Sequence, residues 1–211
     1  MCNRFSESAL DALRREVEKK LTPYRFLHTK GVEEMVARLA ALYLPEKAPM
    51  LRAAALLHDI TKELPQREQQ EILAANGVSL RDDEAASPKI LHGITAALLI
   101  PSQYPDFAVE ELLSAVRWHT TGRAGMTLTE ALLYLADYIE EGRTFPDCVL
   151  LRQLFFEPDP EKMEPSARLR HLWAVILRSL DLTLTGLREE GAPICLETLA
   201  AREDIAKKTI P

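Results

Sequence analysis

The sequence predicts an all-α fold: a helical bundle with a C-terminal helical extension. Three observations carry this. Apolar residues recur at helical spacing along the chain, and no segment shows the alternation of a half-buried strand. Helix-start and helix-stop residues punctuate it at regular intervals. An apolar content of 47% over 211 residues is enough to bury one substantial core.

Ser8 with Asp11 suggests an N-terminal cap, and a charged helix then runs to about Lys20. Thr22 and Pro23 read as the N-cap and first position of the next helix. That helix carries His28, Val32, Met35, Val36 and Leu39 on one face, which puts His28 toward the core. Pro45 and Pro49 precede a central helix built on Ala53-Ala54-Ala55-Leu56-Leu57 and delivering His58-Asp59. Pro65 opens a polar helix that Asn76-Gly77 stops, and residues 81–86 read as a charged connection. Ser87-Pro88 opens a helix holding Leu91-His92-Gly93 and an apolar run over 94–100, and prolines at 101 and 105 break the chain. Asp106 is expected to cap a helix through Leu112, Leu113 and Val116 to Trp118-His119, ended by Thr120-Thr121-Gly122-Arg123. Thr127 and Glu130 match a capping box opening a helix with Leu132, Leu133, Leu135, Ala136, Asp137 and Ile139, and Gly142 is its expected stop. Pro146 begins a short helix to Phe156. A proline-rich hinge over 158–165 precedes a long helix to about Glu190, then Gly191-Ala192-Pro193 and a short tail. The expected organisation is a core over 1–157, including the N-terminal helix, with 158–211 as a helical extension of the same domain.

The net charge of -6 gives no support to general attraction for nucleic acid or membrane surfaces. No apolar run approaches the length of a membrane span, and no signal peptide is visible. Cys2, Cys148 and Cys195 are odd in number and widely spaced, which suits free thiols in a reducing cytoplasm.

Chemistry concentrates in the histidines. Of five, His28, His58, His92 and His119 each sit on or beside an apolar helical stretch. Asp59 and Asp137 are set in equally apolar surroundings, where an unpartnered carboxylate is costly. Helices packed in a bundle can project such groups into one internal site. Imidazole nitrogen and carboxylate oxygen together suit divalent iron, manganese or zinc. Arg25 stands one helical turn before His28, Lys62 three residues after Asp59, and Arg123 and Arg143 each follow a helix stop, so all four are candidate phosphate contacts. Thr120 is a candidate hydroxyl donor beside His119. His171 falls outside the pattern and reads as structural, and Trp118, Tyr134 and Tyr138 read as core.

The ordered set His28, His58-Asp59 and Asp137, within Leu56-Leu57-His58-Asp59-Ile60-Thr61-Lys62, resembles the H…HD…D pattern of HD-domain metal-dependent phosphohydrolases. His92 and His119 resemble its longer version. Arg25-Phe26-Leu27-His28-Thr29-Lys30-Gly31-Val32, Leu91-His92-Gly93, Trp118-His119-Thr120-Thr121-Gly122-Arg123, Leu135-Ala136-Asp137-Tyr138-Ile139-Glu140-Glu141-Gly142-Arg143 and Gly191-Ala192-Pro193-Ile194 are similar to the YqeK family. That is a bacterial family of symmetrical bis(5′-nucleosyl)-tetraphosphatases, and the resemblance runs from about Thr22 into the C-terminal region. Glu141 departs from it, standing where proline is common, and 155–168 looks longer and richer in proline.

The resemblance implies that His28, His58, Asp59 and Asp137 hold a divalent metal, usually iron, with manganese or another divalent ion as the alternative. It implies that His92 and His119 face the phosphates or complete a second metal position. Asp59 would bridge two ions, because a carboxylate can offer one oxygen to each. The implied reaction splits diadenosine tetraphosphate into two ADP by attack of water on an inner phosphorus. Asp59, His92 and His119 would be its catalytic groups. Arg25, His28, Asp59, Lys62, His92, His119, Thr120, Asp137 and Arg143 would contact nucleotide or phosphate. Another nucleotide as substrate, or a catalytically idle nucleotide-binding module, are the alternatives. A homodimer is compatible with the apolar content, and no particular stretch argues for one.

Overall fold

The first helix starts where a hydroxyl can take one of its leading amides, and that hydroxyl belongs to Ser6 rather than Ser8. Ser6 Oγ accepts from the Ala9 N–H at 3.3 Å, and α1 spans Glu7–Lys20. The computed structural model describes residues 4–209, so Cys2 lies outside the described residues. The Thr22 hydroxyl accepts from the Arg25 N–H and Pro23 opens α2, Pro23–Tyr43. The apolar alanine-rich segment forms α3, Ala48–Leu57, and the polar helix after Pro65 is α4, Gln66–Ala75.

The charged connection is itself a short helix, α5, Asp82–Ala85, because the buried Glu84 side chain reaches back to the Arg81 N–H at 3.1 Å. Pro101 does not break the next helix. α6 runs Leu91–Gln103, and the proline sits in its final turn, so the ladder bond it forfeits lies near the helix end. Asp106 caps nothing either. It belongs to a short 3-10 turn, and α7, Glu110–Trp118, starts with Glu110 and Glu111 against the positive end of the helix dipole. The capping box forms with Thr127 and Glu130 in reciprocal bonds, opening α8, Leu128–Ile139. α8 ends at Ile139, ahead of Gly142, because Glu140 turns to extended backbone. α9, Pro146–Phe156, and α10, Pro165–Glu189, lie where the prolines put them. The expected tail is a helix, α11, Leu196–Thr209, whose buried face is only Thr198, Ala201 and Ile205, too narrow a stripe to stand out in the sequence.

Among the described residues there are eleven α-helices and no strand. α3 is the central element: Ala53 to Leu57 are fully buried, and the helix packs against α1, α2, α7 and α8. Tyr134 and Tyr138 on α8 bond Ser179 and Thr183 on α10 at 2.9 and 3.1 Å, and α11 packs along α10. No helix among the described residues is long and apolar enough to cross a membrane.

Candidate metal centre

The last carbonyls of a helix lack intrahelical donors, and the protein uses this twice to orient a histidine. His58 directly follows α3, fully buried, with Nδ1 2.6 Å from the Ala55 carbonyl. His119 directly follows α7, with Nδ1 2.6 Å from the Val116 carbonyl. A carbonyl can only accept, so each ring carries its proton on Nδ1 and presents a lone pair at Nε2. His28 Nδ1 donates to Glu140 Oε1 at 3.1 Å.

The Nε2 atoms of these rings converge on carboxylates. His28 Nε2 lies 2.9 Å and His58 Nε2 3.8 Å from Asp137 Oδ1, giving one group of three donors. His58, Asp59 and His119 form a second group, sharing His58 with the first. Asp59 faces both ways. Its Oδ2 lies 3.5 Å from His58 Nε2 and 3.8 Å from His28 Nε2, while its Oδ1 lies 3.3 Å from His92 Nε2 and 3.8 Å from His119 Nε2. The Nε2 atoms of His28 and His58 are buried and make no aligned hydrogen bond. Imidazole nitrogens and carboxylate oxygens converging in a buried place are what a divalent cation requires, so the donor set fits such an ion.

The protonation states agree. Burial lowers His58 below the ordinary imidazole range, lowers His92 well below it and takes His119 to about 4, so these rings are neutral near pH 7. Burial opposes the charge on Asp59, but His58 and His92 hold its carboxyl below the usual range. Burial likewise opposes Asp137, and Arg143 and His28 outweigh it. His28 is the exception. Burial disfavours its imidazolium, yet the carboxylates of Asp137 and Glu140 raise it to about 9. In the metal-free protein it therefore holds a proton at Nε2 that a cation must displace. Loading metal near pH 7 is expected to release about one proton, and affinity should climb as pH rises toward 9. Calorimetric titration in two buffers of different ionisation enthalpy measures this. A buffer-independent heat would contradict it.

The other expected site residues gather around the same carboxylates. Arg25 Nη1 donates to Asp59 Oδ2 and Arg143 Nη2 to Asp137 Oδ1, both at 2.7 Å. Lys62 Nζ lies 3.2 Å from His92 Nδ1, and Thr120 Oγ1 lies 3.1 and 3.2 Å from the Nε2 atoms of His92 and His119. Arg123 is engaged elsewhere, paired with Glu130 at 3.0 Å within the capping box of α8. His171 bonds the Phe155 carbonyl through Nε2 and stacks on the Phe155 ring.

Glu140 escaped the sequence reading. It is buried, with Oε1 on His28 and Oε2 accepting the Gly142 N–H at 2.5 Å. A glycine in the interior of α2 was the available signal. A Cβ on Gly31 would collide with Glu140 Oε2, so only glycine leaves the carboxylate its seat. Ordinarily Gly→Ala inside a helix stabilises by about 1 kcal/mol. Gly31→Ala is instead expected to push Glu140 off His28 and weaken metal binding roughly 10- to 100-fold, the usual cost of losing an outer-shell partner. Glu140→Gln should do the same, and metal affinity by calorimetry is the check. Unchanged affinity in both would remove Glu140 from the site.

The geometry can be set beside known proteins. The HD domain family matches residues 25–142, a span that contains His28, His58, Asp59, His92, His119 and Asp137. The chain belongs to the HD-domain family. The HD-domain chain is 35% identical over 184 residues to the symmetrical bis(5′-nucleosyl)-tetraphosphatase of Bacillus subtilis, covering 86% of this chain and 89% of the relative. It is 33% identical to the protein of the same name from Halalkalibacterium halodurans, covering 87% and 90%. The Staphylococcus aureus protein of that name is 32% identical over 70% of this chain and 74% of its own length. A crystal structure from Clostridium acetobutylicum, described as a "predicted HD superfamily hydrolase involved in NAD metabolism", superposes with a TM-score of 0.78 at 31% identity, covering 94% of this chain and 97% of that one.

Proposed function

We propose that the chain is a metal-dependent, symmetrical bis(5′-nucleosyl)-tetraphosphatase that hydrolyses diadenosine tetraphosphate to two ADP. The observation that carries this is the paired donor set sharing His58, ringed by Arg25, Lys62 and Arg143, in a chain related along most of its length to enzymes of that name.

His28, His58, Asp59 and Asp137 would hold one cation; the single lone pair of His58 serves one ion, so a second ion would rest on Asp59 Oδ1 and His119. Iron is the metal proposed, with manganese next, since imidazole and carboxylate together suit either. A divalent ion there supplies Lewis acidity toward phosphoryl oxygen and a water acidic enough to attack near neutral pH. The protein's own groups do the rest. Arg25 gives Nη1 to Asp59 while its side chain stays partly exposed, so the guanidinium can turn a further N–H to a phosphate oxygen. Arg143 offers a second fork and Lys62 a point charge. Lys62 Nζ lies against both ring nitrogens of His92, and the neutral ring, with His119 Nε2 facing its Nε2, can turn an N–H hydrogen bond to a phosphoryl oxygen. Thr120 links this end of the centre to a cavity of about 460 Å³ lined by Ile90, Thr121, Leu187 and Pro193 among others, walls that suit a nucleoside.

Free, buried Cys148 and Cys195 support a cytoplasmic setting. The hydroxyl bonds from α8 to α10 support reading 158–211 as an extension of the same domain.

The test is a substrate panel, run anaerobically with ferrous iron. It includes dinucleoside polyphosphates, mononucleotides, cyclic dinucleotides and NAD. ADP as the sole product from diadenosine tetraphosphate is expected. Turnover of another member with that compound untouched would overturn the assignment.

A further inference from the structure

We propose that Tyr24, Leu27 and Phe145 form the subsite for the second nucleoside of a dinucleotide substrate, an inference that rests on the function proposed above. Single exposed apolar side chains are ordinary and need no explanation. These three are the most exposed large apolar residues described, at 75%, 70% and 61%, and they line one cleft together with Arg25, His28 and Arg143. Tyr24 and Leu27 come from the first turns of α2, and Phe145 from the residue just ahead of α9. The fold thus gathers, from distant parts of the sequence, an apolar rim at the mouth of the polar centre.

The cleft is ordered along its depth. Exposure rises from Glu140 and His28, through Arg25 and Arg143, to the apolar rim. A ligand filling it would meet one metal-site histidine, then guanidinium groups, then rings. Phosphate followed by base has that sequence of chemistry. The partly exposed side chains of Arg25 and Arg143 mark the stretch of the cleft where an anion would sit.

The position relative to the other cavity completes the argument. A symmetrical dinucleotide cut at its centre needs a place for a nucleoside on each side of the reacting phosphorus. The cavity at Thr120 reaches the centre from the His92 and His119 side, which is the Oδ1 side of Asp59. The Tyr24 cleft reaches it from the His28 side, which is the Oδ2 side. The first cavity is roomy at about 460 Å³, whereas the cleft is only about 160 Å³, with its apolar groups on the surface. The second nucleoside would therefore be held by stacking on Tyr24 and Phe145, a contact that tolerates any base.

The experiment compares diadenosine tetraphosphate with adenosine 5′-tetraphosphate, which has the same phosphate chain and one nucleoside. The iron-loaded protein is assayed on both, unmodified and with Tyr24→Ala and Phe145→Ala singly and together. The preference for the dinucleotide, as a ratio of kcat/KM values, is expected to fall roughly tenfold per ring, through KM. Tyr24→Phe and Phe145→Tyr should restore it. An unchanged ratio in the double variant would overturn the subsite. So would an equal loss on both substrates together with conversion of a dimer to monomer in sedimentation, which would make the rim a contact between copies of the chain. If the unmodified protein cleaves no dinucleotide, the functional reading itself fails and takes the subsite with it.

Discussion

Asp59→Asn is expected to abolish both metal binding and turnover. Asparagine keeps the shape of the side chain but removes its charge and replaces one oxygen with a hydrogen-bond donor. Neither orientation of the amide is satisfactory. With the NH2 on the Oδ2 side it faces Arg25 Nη1, donor against donor, where the carboxylate now accepts at 2.7 Å. With the NH2 on the Oδ1 side it occupies the position between His92 and His119 that would otherwise offer an anionic oxygen. In both cases the second donor group loses its carboxylate, and the buried Arg25 guanidinium loses its ion partner. The fall in metal affinity should exceed the roughly 10- to 100-fold typical of outer-shell changes, because a direct ligand is lost. Metal content and turnover are measured on the same preparation, with circular dichroism confirming the fold. Full metal occupancy and full activity would show that Asp59 is misassigned.

Much of this centre was legible in the sequence because its components violate local expectation. An Asp after five fully buried apolar residues, and a second Asp inside the buried run of α8, demand a partner on energetic grounds alone. The strong caps at Thr22 and at Thr127 with Glu130 were legible too, since each is satisfied within four residues. What stayed hidden depends on pairs distant in the chain or on weak patterns. Glu140 and His28 are 112 residues apart, and the local trace of their pairing is a single glycine, Gly31, inside α2. Arg123 looked available for phosphate because it follows a helix stop, yet a buried capping-box glutamate claims it. α11 has a narrow buried stripe among many charges, so its helical period barely registers. Pro101 misled because a proline near a helix end costs far less than one at its centre.

His92→Ala is expected to separate chemistry from metal binding. His92 has no carbonyl at Nδ1, unlike His58 and His119; Lys62 Nζ lies 3.2 Å from its Nδ1 and 3.3 Å from its Nε2. His119 carries its proton on Nδ1, so its Nε2 can only accept, and the neutral His92 ring places its proton on the Nε2 facing it. That N–H points at the His119 Nε2 lone pair, 3.0 Å away, and at Thr120 Oγ1. A ring protonated there is a poor metal ligand and a good hydrogen-bond donor, and His92 belongs to neither converging donor group. Truncation should therefore leave metal content close to that of the unmodified protein. Turnover should fall by about 100-fold or more, in the range that a hydrogen-bond donor aimed at developing charge contributes. His92→Gln, which can return an amide N–H to the site, should recover part of the loss. The opposite result is equally informative. If metal disappears along with His92, the ring completes a second metal position, and Lys62 must then release Nδ1 or the ring must change tautomer when the ion binds.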